Sequence, residues 1–229
     1  MPVAIITGAS RGLGLALAQG LAEAGWRLVV DARGAAALSR AAAVLGDVRA
    51  LPGDVTDPAH RAALVAAADE LGGADLLVNN AGILGPSPQP RLADYPLEAL
   101  REVYEVNVIG PLGLIQWALP ALREKSGSIV NITSDAAVEG YEGWGGYGSA
   151  KAAIEQASRV LAAEEPDVRV WWVDPGDLRT RMHQEAFPGE DISDRPLPQT
   201  VVPAFLHLVC TRPDSGRVRL TDLAVPARA

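Results

Sequence analysis

A short apolar run, Val3-Ala4-Ile5-Ile6, meets a glycine-rich turn, Thr7-Gly8-Ala9-Ser10-Arg11-Gly12-Leu13-Gly14, and a helical period follows from Leu13 through Leu17 and Leu21 to Ala24. No other stretch restricts the fold so strongly. A continuous apolar run with β-branched residues suits a strand buried on both faces, as in a parallel sheet. Strand, glycine turn and helix in that order make a phosphate cradle. Glycines let the backbone approach a pyrophosphate, and the helix N-terminus offers unbonded N–H groups and a partial positive charge. The spacing is Gly-x3-Gly-x-Gly, not the Gly-x-Gly-x-x-Gly of the best-known dinucleotide fingerprint. A tight strand-to-helix turn with no ligand would use the same glycines.

The alternation then continues. Arg27 to Val30 is the second strand, Ala35 to Leu45 an alanine-rich helix, and Val48 to Leu51 a short third strand. Asp57 caps a helix from Pro58 to Leu71, with proline in the first turn where its missing N–H costs nothing. Asp75 to Val78 is the fourth strand, and the proline-rich stretch from Leu84 to Pro96 is a loop. Leu97 to Lys125 is one long helical pattern that Pro111 and Pro120 kink or interrupt. Gly127 to Thr133 is the fifth strand, a helix runs to about Glu165, and Val168 to Val173 is the sixth strand. The adjacent Trp171 and Trp172 point to opposite faces, into core or a subunit contact. Residues 177–199 have little periodicity and read as a substrate lid. A last helix spans Thr200 to Cys210 and a last short strand Arg217 to Leu220. This pattern predicts an α/β fold over 1–229: one Rossmann-like, doubly wound parallel sheet of about seven strands with helices on both faces.

Net charge is −8, with no basic cluster, which argues against nucleic acid or an anionic membrane as partner. No apolar run is long enough for a bilayer span, and the first residues enter a strand pattern directly. The single cysteine, Cys210, suits a reducing cytoplasm. His60, His183 and His207 are scattered without metal-ligand spacing, although His183 lies where a lid would touch substrate.

The chemistry centres on Tyr147-Gly148-Ser149-Ala150-Lys151. A tyrosine and a lysine four apart share one helix face. A fixed ammonium favours the phenolate and pulls a tyrosine pKa down from about 10. The pair is then a general acid/base, although a surface helix pair has the same spacing. Lys151 is one of only two lysines against eighteen arginines, and the glycine-rich stretch Gly143-Trp144-Gly145-Gly146 precedes the tyrosine. Ser134 ends the fifth strand, on the side where open α/β sheets bind ligands. Asn107 sits among Val106, Val108 and Ile109, so its amide must find partners in the core, or hold a water. Asp54 could accept from an adenine amino group or cap a turn, and Asn79-Asn80-Ala81-Gly82 is either a simple turn or backbone held open beside a ring. Asp31-Ala32-Arg33 ends the second strand, where an acidic residue would select NAD and a basic one NADP. Arg11 and Arg33 could converge on a phosphate that Asp31 would repel.

Thr7-Gly8-x3-Gly12-x-Gly14, Asp54-Val55, Asn79-Asn80-Ala81-Gly82, Asn107-Val108, Ser134, Tyr147-x3-Lys151 and Pro175-Gly176 with Thr180 occur in one order and spacing. In these, over nearly its whole length, the chain resembles the short-chain dehydrogenase/reductase family. The resemblance implies Tyr147 as acid/base, Ser134 holding the substrate oxygen, and Lys151 lowering the tyrosine pKa and bonding the nicotinamide ribose. Asn107 would position a water that relays protons to Lys151. Gly8, Ser10, Arg11, Gly12, Leu13 and Gly14 would hold the cofactor phosphates, and Asp54 and Val55 the adenine. Asn80, Ala81 and Gly82 would support the adenosine-side ribose, and Pro175, Gly176 and Thr180 the nicotinamide. Counted from Gly25, the NAD-selecting position is Ala32 and the NADP-selecting position is Arg33, so NADP(H) is expected over NAD(H). The implied partner is a small carbonyl or alcohol substrate. The implied assembly is a homodimer or homotetramer through the long helix and the Tyr147 helix. A nucleotide-binding regulator of the same fold is the competing reading. The abbreviated Glu164-Glu165-Pro166-Asp167 turn, the paired tryptophans and the brief tail past Leu220 depart from the family pattern.

Overall fold

Seven parallel strands lie in the order β3-β2-β1-β4-β5-β6-β7 in the computed structural model, which describes residues 1–223. They are β1 Val3–Ile6, β2 Arg27–Ala32, β3 Val48–Pro52, β4 Leu76–Asn79, β5 Ser128–Ile132, β6 Arg169–Asp174 and β7 Gly216–Arg219. The inner strands β1, β4 and β5 are buried at every residue, while β3 and β7 at the edges are not. That is the burial expected when helices cover both faces of a parallel sheet.

The helices are α1 Gly12–Glu23, α2 Ala35–Ala42, α3 Pro58–Glu70, α4 Leu97–Tyr104, α5 Gly110–Glu124, α6 Gly145–Glu164, α7 Arg181–Ala186 and α8 Val202–Thr211. One core joins the sheet to α1, α2 and α8 through Leu17, Leu21, Leu38, Phe205 and Leu208. The other joins it to α3, α5 and α6 through Leu64, Leu114, Leu122 and Leu161. Trp171 is fully buried in the first core. Trp172 faces the other way, with the Arg159 guanidinium 5.4 Å from its ring centroid. Asp57 caps α3 as expected, accepting from the Ala59 N–H.

Two elements differ from expectation. The long pattern from Leu97 is helical throughout but carries a π turn, Glu105–Ile109, between α4 and α5. Pro120 stays inside α5. Pro111 has no N–H to give the carbonyl one turn back, at Asn107, and a widened turn there is the backbone's answer. Within 177–199, where the sequence has little periodicity, α7 forms behind a Thr180 cap whose Oγ accepts from the His183 N–H at 3.2 Å. A six-residue helix is too short to leave a period of its own. The tail beyond residue 223, part of the expected 1–229 unit, lies outside the described residues.

The sheet order reverses between β1 and β4, so the loops after these strands diverge and leave a crevice at their carboxyl ends. The glycine turn and the residues after β4 meet there.

Candidate active site

Gly8 adopts φ +69°, and a Cβ there would meet the Ala81 Cα at 2.9 Å. A Cβ on Gly14 would lie 2.4 Å from Asn80 Nδ2. The turn and the residues after β4 therefore approach too closely for any side chain on the turn, which only glycine allows. Buried Thr7 stitches them: its Oγ accepts from the N–H groups of Asn80 at 3.1 Å and Ala81 at 3.0 Å. Asn80 returns its amide to the Thr7 carbonyl at 2.8 Å and the Gly8 carbonyl at 3.3 Å. Asn80 thus supports the turn rather than reaching outward.

Arg11 is the N-cap of α1 and supplies no side-chain cap, and the first turn of α1 holds no acidic residue. Its leading N–H groups are therefore free for an anion. Ser10 and Leu13 are half-buried at this rim, and Thr180 approaches it, its methyl 3.7 Å from where a Gly12 Cβ would be. This cradle, which added side chains would fill, fits a dinucleotide pyrophosphate.

Asp31 lies deeper than the sequence suggested. It is 1% exposed; one carboxylate oxygen accepts from the Gly8 N–H at 2.7 Å and the other lies 3.0 Å from His60 Nε2. The charge expected to repel a phosphate is turned inward and bound. Arg11 and Arg33 are exposed, and neither forms an ion pair among the described residues. Asp54 accepts from the Thr56 N–H and hydroxyl at 2.9 and 2.8 Å. Burial would raise its pKa, but these bonds, with Arg33 and His60 nearby, leave it below its usual value. Val55 is buried, its carbonyl held by Arg61 at 2.7 Å.

Tyr147 and Lys151 lie on α6. A Cβ on Gly148 would stand 2.6 Å from the Ala136 carbonyl, so α6 presses directly on the turn that begins at Ser134. Tyr147 packs with Leu84 and Ala136 against Trp144 and Met182. It is 8% exposed, and its hydroxyl, which bonds to no described residue, is not sealed from solvent. Lys151 Nζ lies 5.4 Å from the Tyr147 ring centroid, donates to the Ile132 carbonyl at 2.8 Å, and is buried. Ser134 Oγ donates to Asp135 Oδ1 at 2.9 Å and accepts from the Ala136 N–H at 3.2 Å.

Burial raises the Tyr147 pKa above its ordinary value, and the Asp135 and Asp174 carboxylates add to the rise. The expected lowering by Lys151 is absent. Removing a phenolate from water costs more than one ammonium returns here, because that ammonium is itself buried and its pKa lowered to about 8.

Asn107, 1% exposed, spends its side chain on one residue: Nδ2 donates to the Ile83 carbonyl at 2.8 Å and Oδ1 accepts from the Ile83 N–H at 3.0 Å. A Gly82 Cβ would lie 2.8 Å from Asn107 Oδ1 and 3.7 Å from Lys151 Nζ, so these three groups meet. Pro175 and Gly176 follow β6, where the Gly176 N–H donates to Asp174 at 2.9 Å.

Sequence reasoning missed one residue behind the site. Arg217 on β7 donates to Glu155 at 3.0 Å, to Asp174 at 3.1 Å and to the Ser134 carbonyl at 3.1 Å. Glu155 also accepts from Thr133 at 2.9 Å and Arg159 at 3.1 Å. Glu155 and Asp174 are 1% and 3% exposed, so Arg217 neutralises two buried carboxylates at once. A carboxylate where a strand-end motif ordinarily needs none was the available signal, but its partner lay 43 residues away.

The model of the short chain dehydrogenase family matches residues 2–191. The chain belongs to that family. Among its relatives in the family, it is 38% identical over 193 residues to the 3-oxoacyl-acyl-carrier-protein reductase of rhamnolipid biosynthesis from Pseudomonas aeruginosa, covering 79% of this chain and 74% of that one. It is 33% identical to serine 3-dehydrogenase from Rhizobium radiobacter, covering 96% and 92%. The solved alcohol dehydrogenase from Thermococcus sibiricus, complexed with 5-hydroxy-NADP, superposes with a TM-score of 0.86 at 28% identity, covering 100% of this chain and 98% of that one. As a short-chain dehydrogenase, the chain is an oxidoreductase of the NAD(P)(H)-using kind.

Proposed function

We propose that this short-chain dehydrogenase transfers hydride between NADP(H) and a small-molecule carbonyl or secondary alcohol, with Tyr147 as acid/base. The observation that carries the reading is the Tyr147 hydroxyl, on a buried side chain yet open to solvent and free of protein partners, set against the Ser134 turn with Lys151 one helical turn away. A phenol whose pKa is raised stays protonated at neutral pH, which suits it to deliver a proton to an oxygen as negative charge develops there.

Bound NADPH supplies the hydride. The chain's own groups bind, orient and move the proton. Ser134 turns its hydroxyl to the substrate oxygen, and Tyr147 gives its proton to that oxygen. Lys151 holds positive charge beside the phenol and bonds the nicotinamide ribose. The Asn107 side chain is committed to Ile83, so the relay water expected of it falls to its main-chain carbonyl, which Pro111 leaves without the usual donor. Gly8, Ser10, Arg11, Gly12, Leu13 and Gly14 would hold the pyrophosphate, Asp54 and Val55 the adenine, and Asn80, Ala81 and Gly82 would support the adenosine-side ribose. Pro175, Gly176 and Thr180 would hold the nicotinamide, and residues 177–199 with α7 would cover the substrate.

NADP(H) over NAD(H) rests on Arg11 and Arg33, exposed and without protein partners, beside an Asp31 carboxylate that is buried and already bonded. The relative complexed with 5-hydroxy-NADP supports it. The test compares kcat/KM for NADPH and NADH over a ketone and aldehyde panel, in wild type and Tyr147→Phe. NADPH should be preferred. The variant should lose roughly a hundredfold to ten-thousandfold in turnover while binding NADPH as before. Nucleotide binding with no turnover across the panel would favour a regulator, and a preference for NADH would overturn the cofactor assignment.

A further inference from the structure

Asp135 follows Ser134 and takes its proton-bearing side. The Ser134 hydroxyl points at Asp135 Oδ1, 2.9 Å away, and the Ala136 N–H donates to the same oxygen at 2.8 Å. Tyr141 donates to the other oxygen at 3.1 Å. Asp135 is half-buried and has no cation partner among the described residues. The neighbouring carboxylates Glu155 and Asp174 both have Arg217. Beside Asp135 stands an aromatic wall. Trp144 meets Tyr141 edge-on at 6.3 Å and Tyr147 at 5.9 Å between centroids, and Phe187 lies at 6.0 Å. Tyr147, more than nine-tenths buried and with an unpartnered hydroxyl, packs against the same Trp144.

A hydroxyl that donates to a carboxylate cannot donate to a substrate oxygen at the same time. We propose that the missing counter-ion of Asp135 is the substrate's own: a protonated amine close to the reacting carbonyl or carbinol carbon, making amino ketones and amino alcohols the preferred substrate class. The ammonium pairs with Asp135 and shares the aromatic wall, as cations do. Its charge weakens the hold of Asp135 on Ser134, so the hydroxyl turns to the carbonyl oxygen. It also cancels a charge that holds the Tyr147 pKa up, easing proton release. A neutral ketone brings neither effect, and an anionic one meets an uncompensated carboxylate.

The inference rests on the oxidoreductase reading above, and the step balances. Two electrons and one hydrogen reach the carbonyl carbon as hydride, the carbonyl π bond breaks, and the Tyr147 proton joins the oxygen. The carbonyl is reduced to the alcohol and the nicotinamide is oxidised.

Three ketones of similar size test it: aminoacetone, butanone and pyruvate, measured by kcat/KM with NADPH in wild type, Asp135→Asn and Glu139→Gln. The amide keeps the acceptor for the Ala136 N–H and removes the charge. Wild type should favour aminoacetone over butanone by about tenfold or more, the scale of one charge-assisted hydrogen bond, and use pyruvate worst. Asp135→Asn should lose the preference and gain on butanone, while Glu139→Gln, on the exposed side of the same loop, should keep it. Equal use of aminoacetone and butanone, a preference that survives Asp135→Asn, or an equal loss in Glu139→Gln would each overturn the proposal. If none of the three is turned over, the thermal shift of the NADPH-loaded protein decides between aminoacetone and butanone, and equal shifts overturn it. Failure of the underlying reading has its own signature, unchanged turnover in Tyr147→Phe.

Discussion

At the scale of single residues, the site is governed by which charges are buried and which are compensated. Lys151 has its pKa lowered to about 8 because burial disfavours the ammonium. Below that pH it is charged and supports the phenol; above it the charge is lost. Reductive kcat/KM should therefore be flat up to about pH 8 and fall above it. Tyr147 stays protonated across this range, because its own pKa is raised. A Lys151→Met variant should be slower and lack the fall near pH 8. The same alkaline limb in that variant would assign it to another group. Arg33 makes the second prediction. An exposed guanidinium with no protein partner has little structural work, so Arg33→Ala should fold normally. It should weaken NADPH binding by about tenfold or more, the scale of a charged hydrogen bond, with NADH little changed. Fluorescence titration with both cofactors measures the difference.

At the scale of elements, β7 supports a site it never enters. Arg217 joins it to α6 through Glu155, to the end of β6 through Asp174 and to the Ser134 carbonyl. Arg217→Met should destabilise the fold by about 3 kcal/mol, because two buried carboxylates lose their shared cation and keep only the more exposed Arg159 and the more distant Arg219. Urea unfolding measures it, and Glu155→Gln in the same chain should recover part of the loss. With Arg217 gone, Asp174 should also push the Tyr147 pKa further up, because Asp174 is already one cause of the rise. A variant as stable as wild type would show the network to be idle. Helices and strands were legible from their periods to within a few residues. Less legible were α7, too short for a period, and the π turn at Glu105–Ile109. That turn holds Asn107 against the Ile83 backbone four residues before Pro111, and no local pattern records it.

At the scale of the whole molecule, three large apolar side chains remain exposed on the two helical segments that the family resemblance places at the subunit face. Ile109 and Trp117 on the long helix are 48% and 53% exposed, and Val160 on α6 is 46% exposed. Exposed apolar side chains of this size favour association. A homodimer or homotetramer is the expected assembly, and Trp117→Arg should shift it toward monomer in light scattering without changing the circular dichroism of the fold. A wild-type monomer at working concentration would remove this prediction. No described helix is long and apolar enough to cross a membrane.

By itself the sequence determined the layered parallel sheet, the glycine cradle after β1, and the order of Ser134, Tyr147 and Lys151 along the chain. Each of these is written in local spacing and hydrophobic period, which act over a few residues. Only the tertiary structure decided where the acidic groups point. Asp31 turns in to Gly8 and His60, Asp174 pairs with Arg217, and Asp135 faces the cleft with no cation. A carboxylate's role depends on what stands within a few ångströms of it. For Asp31 and Asp174 those neighbours stand 23 to 43 residues away in the chain, brought together by packing that no stretch of sequence encodes alone.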